Sequence, residues 1–221
     1  MQHEVCDLSS HSLPKDPSVK EFFKTLQVQR WDDHRYYHHN RINQSLHLVS
    51  ALSFVAAYVW LFIDPVVSAL VAWLVSMTTR QIGHFFFEPH DYDTVNQATH
   101  AHKEEIKVGY NLHRKMVLMG LWMLSPLMIW MAPAVSGVVE PHSSLEAFVR
   151  DVGMLWLALG VAGLLFRAGQ LAVQQDARTA VVWVTKILTD PFHDIWLYYK
   201  APLHLVRGEL MDPMTHVHPA P

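Results

Sequence analysis

Residues 38–88 read HHNRINQSLHLVSALSFVAAYVWLFIDPVVSALVAWLVSMTTRQIGHFFFE, and this stretch decides the fold. It contains two apolar runs separated by Asp64-Pro65, a pair that ends one helix and begins the next. The first run has 18 almost wholly apolar residues. As a helix it would be roughly 27 Å long, close to the thickness of a hydrocarbon core. We therefore expect a helical hairpin that crosses a membrane twice, over residues 46–63 and 66–87.

Two further apolar runs predict two more spans, over residues 116–135, with a kink at Pro126, and over residues 152–173. Residues 17–37 mix aromatic and basic side chains, which indicates either a helix on the membrane surface or one packed on the domain. Residues 179–199 are apolar but carry charges, so we expect a surface-lying or re-entrant segment there. The predicted fold is all-α: a polytopic membrane protein with about four transmembrane helices plus amphipathic or interfacial helices.

We expect a single membrane domain over residues 17–210, with a disordered lead-in over residues 1–16 and a disordered tail over residues 211–221. The segment up to residue 41 carries six Lys/Arg, the loop 80–115 carries five and the C-terminal part from residue 178 carries four. The turn at 64–65 carries none. The positive-inside rule then predicts that both termini and the 80–115 loop are cytoplasmic, in a bacterial inner membrane or the endoplasmic reticulum.

The amino-acid composition excludes some classes of partner and site and favours metal binding by histidine. Hydrophobic residues make up 51% of the chain and charged residues 17%, and the net charge is −3, so nothing indicates nucleic acid as a partner. The single cysteine, Cys6, excludes an intramolecular disulfide and a cysteine-based zinc site. Sixteen histidines are unusual, and at neutral pH most are uncharged and able to bind metal.

Polar residues cluster at both outer ends of the predicted hairpin. If the second span continues as a helix, Arg80, His84 and Glu88 follow one another at four-residue intervals on one face. His84 and Glu88 could then hold one metal ion, and imidazole with carboxylate and open positions suits non-haem Fe(II). The alternative is an interfacial His–Glu hydrogen bond with Arg80 as counter-ion.

The cluster before the first span contains two histidine pairs at helical spacing. His39 and His47 share a face with Asn43, and His34 and His38 form another four-residue pair, so helical spacing favours His39 as the metal ligand. The form H-x3-HH at residues 34–39 is similar to a histidine box of membrane di-iron hydroxylases and desaturases, although their H-x2-HH repeats are missing. A di-iron site would use His34, His38, His39, His84, His100, His102 and His113.

The loop after the second span has further candidates. His102 and His113 are three helical turns apart and would share a face if the loop is helical, so they are candidates to complete a metal site. The alternative is a solvated cytoplasmic helix.

Two motifs of the hairpin resemble the membrane-protein family of the yeast 2-hydroxy fatty acid dioxygenase. Its members pair H-x4-N-x3-H, entering the first span, with G-H-x3-E, leaving the second. The residues that meet these motifs are His38, Asn43, His47, Gly83, His84 and Glu88. The resemblance covers residues 34–90. It favours His38 as the first metal ligand, whereas helical spacing favours His39. One departure is Arg41, where the family has a proline.

This resemblance implies an Fe(II)-dependent dioxygenase that needs no 2-oxoglutarate and shortens 2-hydroxy fatty acids by one carbon, an α-oxidation. The implied partners are the lipid substrate, O2 and the membrane. Arg80 would pair with the substrate carboxylate. The other site residues in this interpretation are His38 or His39, His47, His84, Glu88 and Asn43. Two alternatives remain open: a di-iron histidine-box lipid hydroxylase or desaturase-like enzyme, and a non-catalytic haem-binding membrane protein.

Overall fold

Seven helices account for most of the residues that the computed structural model describes, which are 17–88, 91–93, 98–99, 101–102, 112–131 and 143–213. They are α1 (Pro17–Tyr37), α2 (Arg41–Trp60), α3 (Pro65–Phe86), α4 (Leu112–Met131), α5 (Leu145–Gln174), α6 (Ala177–Tyr198) and α7 (Ala201–Val206). These ranges contain no strand, and their β-bridges are isolated pairs. The predicted all-α fold class is confirmed for this part of the chain.

The opening stretch of sequence forms a hairpin of α2 and α3. Asn40 caps the start of α2, because its side-chain oxygen accepts a hydrogen bond from the Ile42 N–H at 2.8 Å. Asp64 caps α3 by accepting from the Val66 N–H at 2.9 Å, and Pro65 occupies the first helical turn. By length and composition both helices can cross a membrane, and they begin at residues 41 and 65 rather than at the predicted 46 and 66.

The middle of α3, Val71–Met77, is wound as a π-helix. Such a segment bonds five residues back instead of four and is commonly found at functional sites. The Thr78 hydroxyl donates to the Trp73 carbonyl, also five residues back, at 3.1 Å. The wider winding changes how far the second half of α3 is rotated about the helix axis, and so it sets the direction in which His84 points.

α5 is the third helix that is long and apolar enough to cross a membrane. It packs against α3, α4 and α6. The predicted span over residues 116–135 lies on α4, whose apolar part, Met116–Met131, is shorter than these three helices. Residues 132–135 of that span lie outside the described residues. The structure thus gives three candidate spans within its described part, together with this shorter apolar helix.

The apolar core lies where α3, α4 and α5 meet. Ala69, Ile129, Val152 and Trp156 are buried there in one cluster. The indole N–H of Trp156 donates to the Ser125 hydroxyl at 2.9 Å, which satisfies a polar group inside the core. This contact joins α5 to α4.

The surface-lying or re-entrant segment predicted over residues 179–199 lies on α6. α6 is one continuous helix, Pro191 included, and packs against α1, α2 and α5. Lys186 and Asp190 are buried, and Lys186 Nζ donates to Asp190 Oδ2 at 2.8 Å. Arg30 of α1 contacts the other Asp190 oxygen at 3.1 Å. The charged face of α6 is thus paired within the protein, while Phe192 and Trp196 on its other face are 55% and 69% exposed, so α6 is a continuous helix with one face outward and not a re-entrant segment.

α1, for which the sequence left two placements open, is packed against α6. Leu26 is buried, whereas Phe23 on the same helix is 61% exposed. Glu21 forms an ion pair with Arg178 near the start of α6. Apolar packing and charge pairing therefore both attach α1 to the helical domain.

The chain after α7 returns to the start of α2. Asp212 is buried and accepts hydrogen bonds from Arg41 Nη1 and Gln44 Nε2, both at 2.8 Å, and its N–H donates to the His39 carbonyl at 2.7 Å. The tail predicted to be disordered from residue 211 therefore begins with residues that contact α2. The predicted lead-in, residues 1–16, and residues 214–221 lie outside the described residues.

The closest approach of α2 and α3 is testable at Gly83. A Cβ added there would lie 2.3 Å from Asn43 Oδ1. Gly83→Ala gains up to about 1 kcal/mol of helix propensity. Displacing a buried neighbour costs roughly 1–3 kcal/mol. We therefore expect a lower thermal midpoint in detergent, measured by circular dichroism. Gly163→Ala in α5 is the control, because nothing lies within 4 Å of its Cβ. Equal midpoints for the two variants would contradict the close approach.

Candidate metal centre

Three histidines from different parts of the chain converge at one end of the hairpin. His38 lies in the link between α1 and α2, His47 in α2 and His84 in α3. Each offers one ligand nitrogen, and these nitrogens all lie within 4.8 Å of one another. The ring centroids of His47 are 4.2 Å from His38 and 4.8 Å from His84. We call this cluster the three-histidine group, and it is the one such group in the part of the chain that the structure describes.

Side chains of α2 hold the link that carries His38. Asn43 Nδ2 donates to the Tyr37 carbonyl at 2.9 Å, and Gln44 Nε2 donates to the His38 carbonyl at 2.7 Å. Both amide side chains are buried, so these hydrogen bonds are shielded from water. Asn43, which the sequence assigned to the catalytic site, thus holds the backbone immediately before His38.

The position at which α2 begins separates His38 from His39. The spacing that favoured His39 requires an unbroken helix from residue 39 to residue 47, but α2 starts at Arg41. His39 lies outside the three-histidine group, and its Nε2 is 3.6 Å from Asp93 Oδ2. His38, which the family pattern favoured, is the histidine that joins His47.

The donor chemistry of the three-histidine group fits a metal ion. His38 Nε2 is buried and has no hydrogen-bond partner among the described residues. Burial, together with the neighbouring His47 and His84, lowers the pKa of His38 well below its ordinary value, so the ring is neutral at physiological pH. Neutral imidazole is the form that binds metal, and it suits Zn, Cu, Fe and Ni.

Two carboxylates lie beside the group. Glu88 is buried just beyond the end of α3, and its Oε2 is 3.4 Å from His84 Nδ1. Asp194 Oδ2 lies 3.9 Å from His47 Nδ1. The predicted proximity of His84 and Glu88 is therefore found, although α3 ends at Phe86.

Asp194 is ionised in this environment. Burial alone would raise the pKa of its carboxyl, but the contact with His47 and the charge of Arg80 outweigh burial and lower the pKa to about 2. Arg80 Nη1 lies 3.2 Å from Asp194 Oδ2. Arg80, predicted to pair with a substrate carboxylate, thus pairs with this carboxylate of the chain.

α6 supplies two residues of the site that the sequence did not single out, Asp194 and Tyr198. The Tyr198 ring is 1% exposed, and its hydroxyl lies 3.0 Å from His38 Nδ1 and 2.6 Å from His34 Nδ1. The sequence does contain a signal for them, namely a series of polar residues at every fourth position, which lie on one face of a helix. That series is Lys186, Asp190, Asp194 and Tyr198.

A small polar pocket lies beside His38. Its free volume is about 10 Å³, room for about one water molecule. Its charged lining consists of Arg30, Arg80, Lys186, Asp190 and Asp194. Three positive charges therefore face two negative ones, which favours a small anion in this pocket.

The other predicted ligands do not join the group in the described residues. His102 is exposed. His113 is in the first turn of α4, and its side chain, like the whole of His100, lies outside the described part. The His34 ring centroid is 6.2 Å from that of His38. Of the proposed di-iron set, the structure brings His38 and His84 together with His47, which did not belong to that set.

We compared the chain with known protein families, curated proteins and solved structures. No protein-family model, curated protein or solved structure matches the chain. The resemblance carried by the two hairpin motifs stays a prediction, and the functional argument rests on the geometry of the three-histidine group.

We expect the purified protein to bind one divalent metal ion per chain at the three-histidine group. His38→Ala removes one of three ligand nitrogens, so it should weaken binding by more than the 10–100-fold typical of residues that only orient a ligand. The measurements are metal content and a Co²⁺ absorption titration. His39→Ala discriminates the two sequence hypotheses and should retain the metal, and the exposed His102→Ala is the control. Loss of metal in His39→Ala but not in His38→Ala would reverse the assignment.

Proposed function

We propose that this chain is a multi-pass membrane metalloenzyme, a non-haem Fe(II)-dependent dioxygenase that shortens 2-hydroxy fatty acids by one carbon. The observation that carries the proposal is the convergence of the His38, His47 and His84 nitrogens within 4.8 Å. These are the three histidines of the two hairpin motifs that resemble the 2-hydroxy fatty acid dioxygenase family. A metal-binding group at the end of membrane-length helices suits a substrate with a chelating head and an acyl tail.

The proposed reaction consumes one O2 for each substrate molecule. The bond between the carboxyl carbon and the hydroxyl-bearing carbon breaks, and the carboxyl carbon leaves as CO2. The hydroxyl-bearing carbon is oxidised to the new carboxylic acid, and water is the third product. The substrate supplies all four electrons that O2 accepts, so neither 2-oxoglutarate nor another reductant is consumed.

His38, His47 and His84 would hold the iron. Fe(II) bound there supplies the O2 chemistry and a Lewis acid for the hydroxyl and carboxylate oxygens of the substrate. Three nitrogens from the protein leave coordination positions for exchangeable ligands, as a catalytic rather than a structural site requires. His38 and His47 are buried, so they would keep bulk water from the reacting atoms.

The excess of positive charge beside His38 supports attraction of a carboxylate head group to this end of the hairpin, and the pocket itself has room for about one water molecule. Arg80 lines this pocket and is oriented by its contact with Asp194. A guanidinium has five N–H donors in a fixed plane, so one contact can orient Arg80 while it also attracts an anion. In this proposal Arg80 keeps the substrate-binding role predicted from the sequence, with Asp194 as its positioning partner.

The hairpin surface supports a place for the acyl chain in the lipid phase. Leu52, Val59 and Phe62 are exposed large apolar side chains on or next to α2. An apolar surface of this kind is matched by lipid tails. With the charge distribution described above, both termini and the 80–115 loop are cytoplasmic, and the three-histidine group lies at that membrane face.

The proposal is tested with detergent-purified protein loaded anaerobically with Fe(II). We expect equal amounts of O2 consumed and CO2 released from 2-hydroxypalmitate, and an acid product one carbon shorter. Palmitate, which lacks the hydroxyl, should cause neither O2 consumption nor CO2 release. His84→Ala should abolish turnover, because it removes one of the three ligands, whereas His102→Ala should keep it.

Three outcomes would overturn the proposal. Iron-loaded protein that consumes no O2 with 2-hydroxy acids of any chain length is not this dioxygenase. Two iron atoms per chain would indicate a di-iron hydroxylase instead. A strong visible absorption band of the purified protein would indicate bound haem.

A further inference from the structure

Each ring of the three-histidine group has an oxygen from outside the group beside its Nδ1 atom. These oxygens belong to a tyrosine and an aspartate of α6 and to a glutamate just after α3. The pairs are Tyr198 hydroxyl with His38 at 3.0 Å, Glu88 Oε2 with His84 at 3.4 Å and Asp194 Oδ2 with His47 at 3.9 Å. The Tyr198 contact is a hydrogen bond, whereas the Glu88 and Asp194 oxygens are charged neighbours of their Nδ1 atoms at longer distances.

An oxygen acceptor beside Nδ1 decides which nitrogen of an imidazole binds metal. On His38 the ring proton stays on Nδ1, where it points at the Tyr198 oxygen. On His47 and His84 the negative charge of the nearby carboxylate favours a proton on Nδ1, so in all three rings the lone pair is left on Nε2. We infer that the group binds its metal through three Nε2 atoms, with Tyr198, Asp194 and Glu88 as positioning residues. This inference rests on the metal centre of the proposed function and deepens it by assigning the ligand atoms.

This arrangement changes the role of Glu88. The sequence predicted it as a metal ligand together with His84. Its carboxylate oxygen lies on the Nδ1 side of the His84 ring, which faces away from an ion bound at Nε2. Glu88 therefore orients His84, and the protein's own ligands are three neutral nitrogens.

Tyr198 makes the contact with the best hydrogen-bond geometry, and it ties His38 to a fourth histidine. Its hydroxyl carries one proton and lies between two Nδ1 atoms, at 3.0 Å from His38 and 2.6 Å from His34. When His38 Nδ1–H donates to the Tyr198 oxygen, the Tyr198 hydroxyl proton is directed to His34 Nδ1. His34 is then the acceptor that keeps this order of donation, one helical turn before His38 along the chain.

This order of hydrogen-bond donation gives a reason for the two histidines at four-residue spacing, one near the end of α1 and one in the link that follows it. His34 and His38 resemble two ligands of one metal in the sequence. In the structure Tyr198 lies between their Nδ1 atoms, and only His38 belongs to the three-histidine group. His34 thus acts on the metal through Tyr198 and through the ring of His38.

Tyr198→Phe tests the inference, because it removes one hydroxyl and keeps the buried ring. We expect the dissociation constant for Co²⁺ and Zn²⁺ to rise about 10–100-fold while one metal per chain still binds at saturation. Tyr199→Phe is the matched control, since Tyr199 is the neighbouring residue and is 58% exposed. The thermal midpoints of the two metal-free variants are compared, because a merely structural role of Tyr198 would change stability without a matching change in metal affinity.

Tyr198→Phe with the metal affinity of Tyr199→Phe would overturn the inference and leave the metal centre standing. Unmodified protein that binds no divalent metal would instead overturn the proposed function itself, so the two failures are distinguishable. Glu88→Gln keeps an acceptor oxygen beside His84 and should keep the metal. Complete loss of binding in that variant would show that Glu88 is a ligand.

A second measurement needs no variant and decides the matter if Tyr198→Phe fails to fold. Protein with ¹⁵N-labelled histidine is loaded with Zn²⁺, and the ring nitrogens are observed by NMR. We expect three metal-bound rings, all with the proton on Nδ1 and the metal on Nε2. A ring that binds through Nδ1 would overturn the inference for that histidine and its oxygen partner.

Discussion

Two helices can approach as closely as α2 and α3 do only where one of them has no side chain. At that point the Asn43 amide oxygen occupies the space where a Cβ on Gly83 would lie. The amide nitrogen of Asn43 holds the Tyr37 carbonyl at 2.9 Å, so one buried side chain joins the hairpin to the end of α1. His47 is one turn along from Asn43 and His84 follows Gly83. The meeting of the three histidines therefore depends on this contact.

A buried polar centre has to be stabilised from outside itself, because desolvation of imidazole and carboxylate groups is costly. α6 supplies much of this stabilisation, with its polar face turned to the inside of the bundle. Asp194 is compensated by Arg80, and Asp190 by both Lys186 and Arg30. Such networks contribute little net stability when compared with apolar packing, but losing one partner leaves an uncompensated charge. In this protein these ion pairs fix positions, since they hold α1 and α3 against α6.

Hydropathy and motif spacing predicted the helical class, the hairpin and the residues His38, His47 and His84, because each depends on local sequence. The choice between His38 and His39 depended on the start of α2, which is set by Asn40 as a cap rather than by periodicity. The place of α6 could not be read from its own composition, since its charges are compensated by residues far away in sequence. The π-helical winding of α3 left no signal among apolar residues, although it helps to aim His84.

That winding has a consequence for how the chain can vary. The core contact of Trp73, whose indole donates to the Trp156 carbonyl at 3.0 Å, fixes α3 on one side of its midpoint, and the contact at Gly83 fixes it on the other. An added or missing residue between two such anchors turns one of them by about 100° relative to the other. The part of the segment Val71–Met77 that follows Trp73 lies between these anchors and takes up that angular difference in the wider turns of its backbone. For this part of the chain the number of residues is a functional property in its own right, separate from which apolar residues fill it.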